Sequence, residues 1–561
     1  MTTLEARVAD AAGRVGRALL EEHGGGTPTD RAGLWDPALW TVGSPRLAAV
    51  LAAHGDRALT EAVDRADPEE RDRAALAASL AGPVEVLLAL GSDDRVIPTA
   101  GRNSYLMPLA DRGPVLRASS CTATPPDGPA LAVAGEWRDR VLGQVLGGSV
   151  PGPRSWHAEV AGPLVERLGL EPGWAGRVVL SPSGTDVESL LTAVVHGAHR
   201  RPVLVVTVGA REAGSGTVLA AGMRAFRGTA PYAVGLDSGD PLPGVDPDQV
   251  GVVDVDLRDA AGRVRRASDV EAEVEAHVED AVLDGKAVLV HVMAGSKTGL
   301  GCPDVGWVRA WRARSPHLRF VVDAAQLRLP RRDLVAYLRA GAAVLLTGSK
   351  ALGAPPFCGA VLLDDALAAD AQVAADSGAG LPEGLTRSVS RADLPPALEG
   401  LGTGLEPVNV GLLARWRVAL AEWEAFAAVP RELRRRVTLA LLTGWRDGLS
   451  ALPGVEALSP HPGAVPTILS VRVAGADGEW LGKGGLAEVY QRVVEAPGVY
   501  IGQPVETVLG RQGVLRLAVG APTVTRLVAG AEDDDSLDRA VVEVVGVAVD
   551  RFAGAVPTRV R

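Results

Sequence analysis

The chain has 561 residues, 47% of them hydrophobic, 22% charged and 4% aromatic, which excludes a peptide-sized module, a periodic fibrous chain and a disordered one. Its formal net charge of −11 argues against nucleic acid and anionic membrane as partners, because binding phosphate surfaces needs an excess of cations. Of the 57 Lys and Arg residues only Lys286, Lys297, Lys350 and Lys483 are lysines.

Residues 1–90 are rich in Ala, Leu, Arg and Glu at helical spacing, broken by Gly-rich and Gly-Pro turns at 24–28 and 82–83, and predict a helical N-terminal extension. The N-terminus carries charges where a signal peptide needs an apolar core, and no run of about 18 apolar residues follows anywhere. Residues 91–150 lose periodicity and read as an irregular segment. Its polar stretches at 101–105 and 119–122 are candidate substrate contacts, Asn103 foremost.

From 151 to 400 short β-branched runs at 178–180, 202–208, 287–293, 320–323, 343–347 and 359–363 alternate with helical segments. Continuous apolar runs of this kind predict strands buried on both faces of a mostly parallel sheet, hence a large α/β domain. Helices at 410–428 and 431–447, then short strands at 467–473 and 514–519, predict a smaller α+β domain over 401–561. The basic run at 431–436 and the acidic run at 532–535 read as solvated surface. Cys121, Cys302 and Cys358 are odd in number and far apart, so neither a disulfide framework nor a metal site is expected, and a cytoplasmic setting is.

Three segments could carry chemistry. Ser183-Gly184-Thr185-Asp186 follows a short strand and opens a helix, where an anion could sit on free backbone N–H groups; a cap without any ligand is the open alternative. Asp323 closes a buried strand, the edge at which parallel sheets bind ligands; it is equally able to be a turn-former. Lys350 directly follows another buried strand. In a chain that uses arginine almost everywhere, a lysine kept here points to chemistry that a permanently protonated guanidinium cannot do, such as attack on a carbonyl.

Ser183-Gly184-Thr185, Asp323-Ala-Ala-Gln326 and Thr347-Gly-Ser349-Lys350, in this order, resemble fold type I pyridoxal-phosphate enzymes, specifically the class V aminotransferase and cysteine desulfurase group. The resemblance covers about 150–420 well and the C-terminal part more loosely, and leaves out the first 90 residues. It implies that Lys350 holds pyridoxal 5′-phosphate as a Schiff base and moves the proton at the substrate Cα, while Asp323 pairs with the ring nitrogen and Gln326 with the ring 3-oxygen. It further implies that Ser183, Gly184 and Thr185 cradle the phosphate with hydroxyls of Thr347 and Ser349, that Arg516 grips the substrate carboxylate, and that the chain is a homodimer.

Ser296 stands where the family often has an asparagine, and is a further substrate-contact candidate. Lys297 is a second candidate for the Schiff base. The family's ring-stacking histidine or aromatic is missing from 208–217. No cysteine follows Cys358, which argues against a persulfide relay. The expected activity is that of a PLP-dependent enzyme acting on an amino acid or amine, foremost a class V-type aminotransferase, with a β/γ-eliminating lyase of the same fold as the alternative. Two further alternatives stay open. A nucleotide-binding oxidoreductase is suggested by Gly214-Ser-Gly216 with Asp237, and a non-catalytic protein of the same fold by the missing ring.

Overall fold

The structure, a computed structural model, describes residues 3–23, 36–113, 116–119, 124–378, 380–402, 404–461, 466–508 and 511–557. The turn expected at 24–28 and residues 120–122 of the polar loop, Cys121 included, lie outside the described residues.

Four helices, α1 (Leu4–His23), α2 (Ser44–His54), α3 (Arg57–Arg65) and α4 (Pro68–Leu80), form the N-terminal region. Asp56 and Asp67 cap α3 and α4 through backbone N–H groups of their first turns, Asp67 in a full capping box with Glu70. Residues 91–150 are less irregular than expected, because they contain strand β1 (Leu116–Ala118) and helix α5 (Gly128–Leu146). Asp127 caps α5 and Pro129 sits in its first turn, where a missing N–H costs nothing.

The central sheet contains β2 (Val178–Ser181), β3 (Val203–Val208), β4 (Val250–Val255), β5 (Ala287–Ala294), β6 (Arg319–Asp323), β7 (Ala343–Thr347) and β8 (Gly359–Leu362). They lie in the order β2-β8-β7-β6-β5-β3-β4, and a two-residue strand at Gly301–Cys302 pairs antiparallel with β5. Only β8 runs against the other six, so the sheet is the mostly parallel α/β sheet that the apolar runs predict. All eight residues of β5 are buried. The strand that the sequence does not announce is β4, which is half-exposed at the sheet edge and interrupted by Gly251 and Asp254. An edge strand with one wet side lacks the continuous apolar run of a central one.

A second, five-stranded sheet joins β1 to β9 (Val455–Leu458), β10 (Ile468–Val473), β11 (Val499–Val508) and β12 (Gln512–Ala518), in the order β1-β11-β12-β10-β9. Its edge strand β1 therefore comes from more than 300 residues upstream of its other strands, through parallel pairing of Leu116 with Val499.

Helix α6 (Gly184–His199) covers one face of the central sheet, with Val187, Leu190, Leu191 and Val194 packed among Val205, Leu289, Val321 and Leu345. On the helix Val410–Ala428, Arg415 is fully buried and donates to the carbonyls of Leu88, Leu90, Gly91 and Phe357. One guanidinium so ties the end of the N-terminal region to Phe357, a residue of the main cavity. A Cβ on Gly411 would stand 2.0 Å from the Leu90 carbonyl oxygen, so this docking also needs a glycine.

Candidate active site

The C-terminal ends of β6 and β7 and the N-terminus of α6 meet at a cavity of about 360 Å³. Parallel strands deliver side chains to this edge in register. Asp323 follows Val321 by two residues on the α6-facing side, Val321 pairs with Ala343 of β7, and Lys350 leaves β7 through the turn Gly348-Ser349. Ser183, Gly184, Thr185, Asp323, Thr347, Ser349 and Lys350 all line this one space.

Local bonding fixes their arrangement. The Asp323 carboxylate accepts from the Ala325 N–H at 2.9 Å, which holds it at the strand end. Thr347 Oγ1 donates to the Ala325 carbonyl at 2.8 Å, clamping the loop after Asp323 to β7. Ser183 caps α6: its Oγ donates to Asp186 Oδ2 at 2.5 Å and accepts from the Asp186 N–H at 3.2 Å. The other first-turn N–H groups of α6 have no partner within the helix, as at every helix N-terminus. Burial pushes the Asp186 carboxyl up to about 6, and the neighbouring Asp93 charge adds to it.

Close packing joins the helix start to the sheet. A Cβ on Gly359 of β8 would lie 2.7 Å from the Ser183 carbonyl carbon and 3.0 Å from Gly184 N. Gly359→Ala is expected to push the start of α6 off the sheet at a cost of about 1–3 kcal/mol, read as a fall in Tm.

The other candidates stand elsewhere. Gln326 is buried beyond Asp323, outside the cavity lining. Ser296 is buried behind the cavity, its hydroxyl donating to Glu212 at 2.9 Å. Asn103 accepts from the N–H groups of Tyr105 and Met107, bracing the turn that brings Tyr105 to the cavity wall. The Arg516 guanidinium is buried and donates to the Gln503 carbonyl, and it is Gln503 that reaches the lining. Lys297 lines the cavity as well.

Sequence reasoning passed over Glu188, Arg95, Arg227 and Phe357, which also form the wall. Arg95 pairs with Asp93 and lies over the Phe357 ring at 4.6 Å. Where the family's stacking ring is missing, Ala213 lines the cavity, and the aromatic walls come from Tyr105 and Phe357. Neither lies near 208–217 in sequence. The signal that could have marked Glu188 is a carboxylate two residues after Asp186 on the apolar face of α6. Cys358 lines the cavity too, but burial pushes its thiol far up, away from the thiolate a sulfur nucleophile needs.

The glycine pair suggestive of a dinucleotide site opens a helix of only five residues, Thr217–Ala221, and Asp237 is exposed outside the cavity. Among the described residues no group of three or more His, Cys, Asp or Glu side chains is placed to hold a metal ion, and no helix is long and apolar enough to cross a membrane.

The chain matches no family model, and no curated protein matches it in sequence. Three of the solved structures that it is similar to are the following. Ureidoglycine–glyoxylate aminotransferase from Bacillus subtilis is 14% identical, with 79% of this chain and 95% of that one covered and a TM-score of 0.48. The cysteine desulfurase CsdA from Escherichia coli is 15% identical, with 78% and 95% covered and a TM-score of 0.46. A cysteine desulfurase from Thermococcus onnurineus is 15% identical, with 76% and 93% covered and a TM-score of 0.45. The chemistry proposed for this chain rests on the side chains of its own cavity.

Proposed function

We propose that the chain is a pyridoxal 5′-phosphate-dependent enzyme acting on an amino acid or amine, foremost a class V-type aminotransferase. One observation carries this: Lys350, Asp323 and the N-terminus of α6 converge on one cavity although 167 residues separate Ser183 from Lys350. An amine, a carboxylate and a helix N-terminus are the three groups that a pyridine aldehyde bearing a phosphate calls for.

Unmet polar groups test the fit. Ser349 Oγ, on the lining, is buried and has no partner among the described residues. Buried polar atoms rarely stay unpaired, and a ligand carrying phosphate oxygens supplies an acceptor for this hydroxyl. The residues fit the cofactor. When bound, it provides an electron sink that labilises a bond at the substrate Cα.

The chain's own groups then have distinct tasks. Lys350 holds the cofactor and moves the proton at Cα. Asp323, fixed as an acceptor by the Ala325 N–H, holds the ring nitrogen in its protonated form. The first turn of α6 and Ser349 bind the phosphate, where the helix dipole favours an anion. Arg227 and Lys297 add positive charge to the wall, which suits a substrate carboxylate. Which bond at Cα breaks depends on how the substrate is oriented, so elimination by the same constellation is the alternative reaction. A homodimer and a cytoplasmic setting belong to the same proposal. Sedimentation tests the first, by a mass twice the 57.9 kDa of the chain.

Asp186 makes phosphate binding pH-dependent. Its carboxyl is neutral below about pH 6 and ionised above, and an ionised carboxylate that holds the Ser183 hydroxyl at the start of α6, just outside the cavity lining, repels an anion bound there. Cofactor titrations should therefore show equal affinity for wild type and Asp186→Asn at pH 5, and roughly threefold to tenfold tighter binding by the variant at pH 8. Equal affinities at pH 8 would remove the carboxylate from the phosphate site. The proposal as a whole is tested by reconstituting the purified chain with pyridoxal 5′-phosphate and looking for a visible band that borohydride removes, then for amine-dependent changes in it.

A further inference from the structure

Behind Asp323 lies a carboxyl that the proposed chemistry does not use. Glu188, in the second turn of α6, is 2% exposed, lines the cavity, and faces His291 of β5, which is 4% exposed. Glu188 Oε2 and His291 Nδ1 are in direct contact without the alignment of a hydrogen bond, and neither ring nitrogen has a hydrogen-bond partner among the described residues. His291 stands beside Val321 in the sheet, two residues before Asp323, so the carboxylate, the imidazole and the second carboxyl form one cluster under α6. Lys350, Lys297, Arg95 and Arg227 are the other charged groups of the cavity wall.

The cluster holds two acids and one base, and its two acids are not equivalent. Asp323 accepts a backbone N–H, whereas Glu188 has only the imidazole against it. A carboxyl as buried as Glu188, with a second carboxylate near it, ionises only at a high cost. Burial pushes the Glu188 carboxyl well up, with the Asp323 charge adding to it, and burial pushes His291 down to about 3. Both shifts put the proton on Glu188 and leave His291 neutral.

We propose that Glu188 is a positioning residue that acts through Asp323: it carries a proton, held against His291 Nδ1, and so leaves Asp323 as the single carboxylate anion facing the cofactor ring. This rests on the cofactor reading for Asp323. The proton on Glu188 is a property of the chain alone, and the two are tested separately.

Infrared difference spectra of the cofactor-free full chain should show a protonated-carboxyl carbonyl band at pH 7 that shifts in D2O and is lost in Glu188→Gln. Absence of that band overturns the proposal whether or not the cofactor binds. In the reconstituted protein, Glu188→Gln, a neutral isostere, should keep cofactor affinity within about threefold of wild type and leave the pH profile of the visible band unchanged. Glu188→Ala opens space for water at His291, and the relief of burial lets the imidazole take up a proton next to Asp323, which should move that profile by about one pH unit. If Glu188→Gln instead loosens the cofactor about tenfold, Glu188 acts as an anion and the proposal is wrong. If Glu188→Ala matches Glu188→Gln throughout, the pair only packs the core, and the proposal is again wrong. A wild type that forms no borohydride-sensitive band but shows the carbonyl band rejects the cofactor reading and, with it, the role through Asp323, while the proton on Glu188 stands.

Discussion

Lys350→Ala is expected to abolish the borohydride-sensitive visible band and to lower cofactor-dependent turnover by roughly 10³-fold or more, because no other amine stands at the end of β7 to form an imine with a carbonyl. Lys350→Arg should be as inactive as the alanine variant. A guanidinium fills similar space and keeps the charge, but stays protonated. This comparison separates covalent chemistry from simple electrostatics. With four lysines in the chain, borohydride reduction followed by peptide mapping identifies the modified one directly. A label on Lys297 in the wild type would move the covalent role across the cavity, since both lysines line it.

The second large effect is expected at Asp323. Asp323→Asn preserves shape and can still accept the Ala325 N–H, yet it removes the negative charge that keeps a ring nitrogen protonated. Exchange of the Cα proton for deuterium across a panel of amino acids, followed by NMR, should slow by roughly 10²–10³-fold while the visible band persists. The two variants thus fail differently: one loses the covalent attachment, the other keeps it and loses reactivity. An Asp323→Asn protein that exchanges at the wild-type rate would remove the carboxylate from the chemistry and leave it as a strand-end turn former.

Much of the site is readable along the chain because each of its parts is local. Ser183-Gly184-Thr185 is a strand-to-helix turn, Asp323 ends an apolar run, and Lys350 follows another, so short windows of residue type and periodicity find all three. Residues that come from distant segments have a weaker signal or none. Tyr105, marked in sequence only by its place in the polar stretch 101–105, reaches the cavity through a turn held by Asn103, and Phe357, which nothing in the sequence marks, through a carbonyl anchored by Arg415. Glu188 reads in sequence as one more polar residue on a helix, and only the approach of β5 places an imidazole against it.

By itself the sequence determined the alternation of buried strands and helices, the retention of a lysine where arginine would not serve, and the order of the three motifs. These follow from local residue type and spacing. Only the tertiary structure decided that β1 belongs to the C-terminal sheet, that Arg516 is bonded to the Gln503 carbonyl with Gln503 at the wall, and that Glu188 and His291 are buried against each other near Asp323. Strand partners and desolvated charge clusters depend on which surfaces exclude water together, and that is set by packing across hundreds of residues.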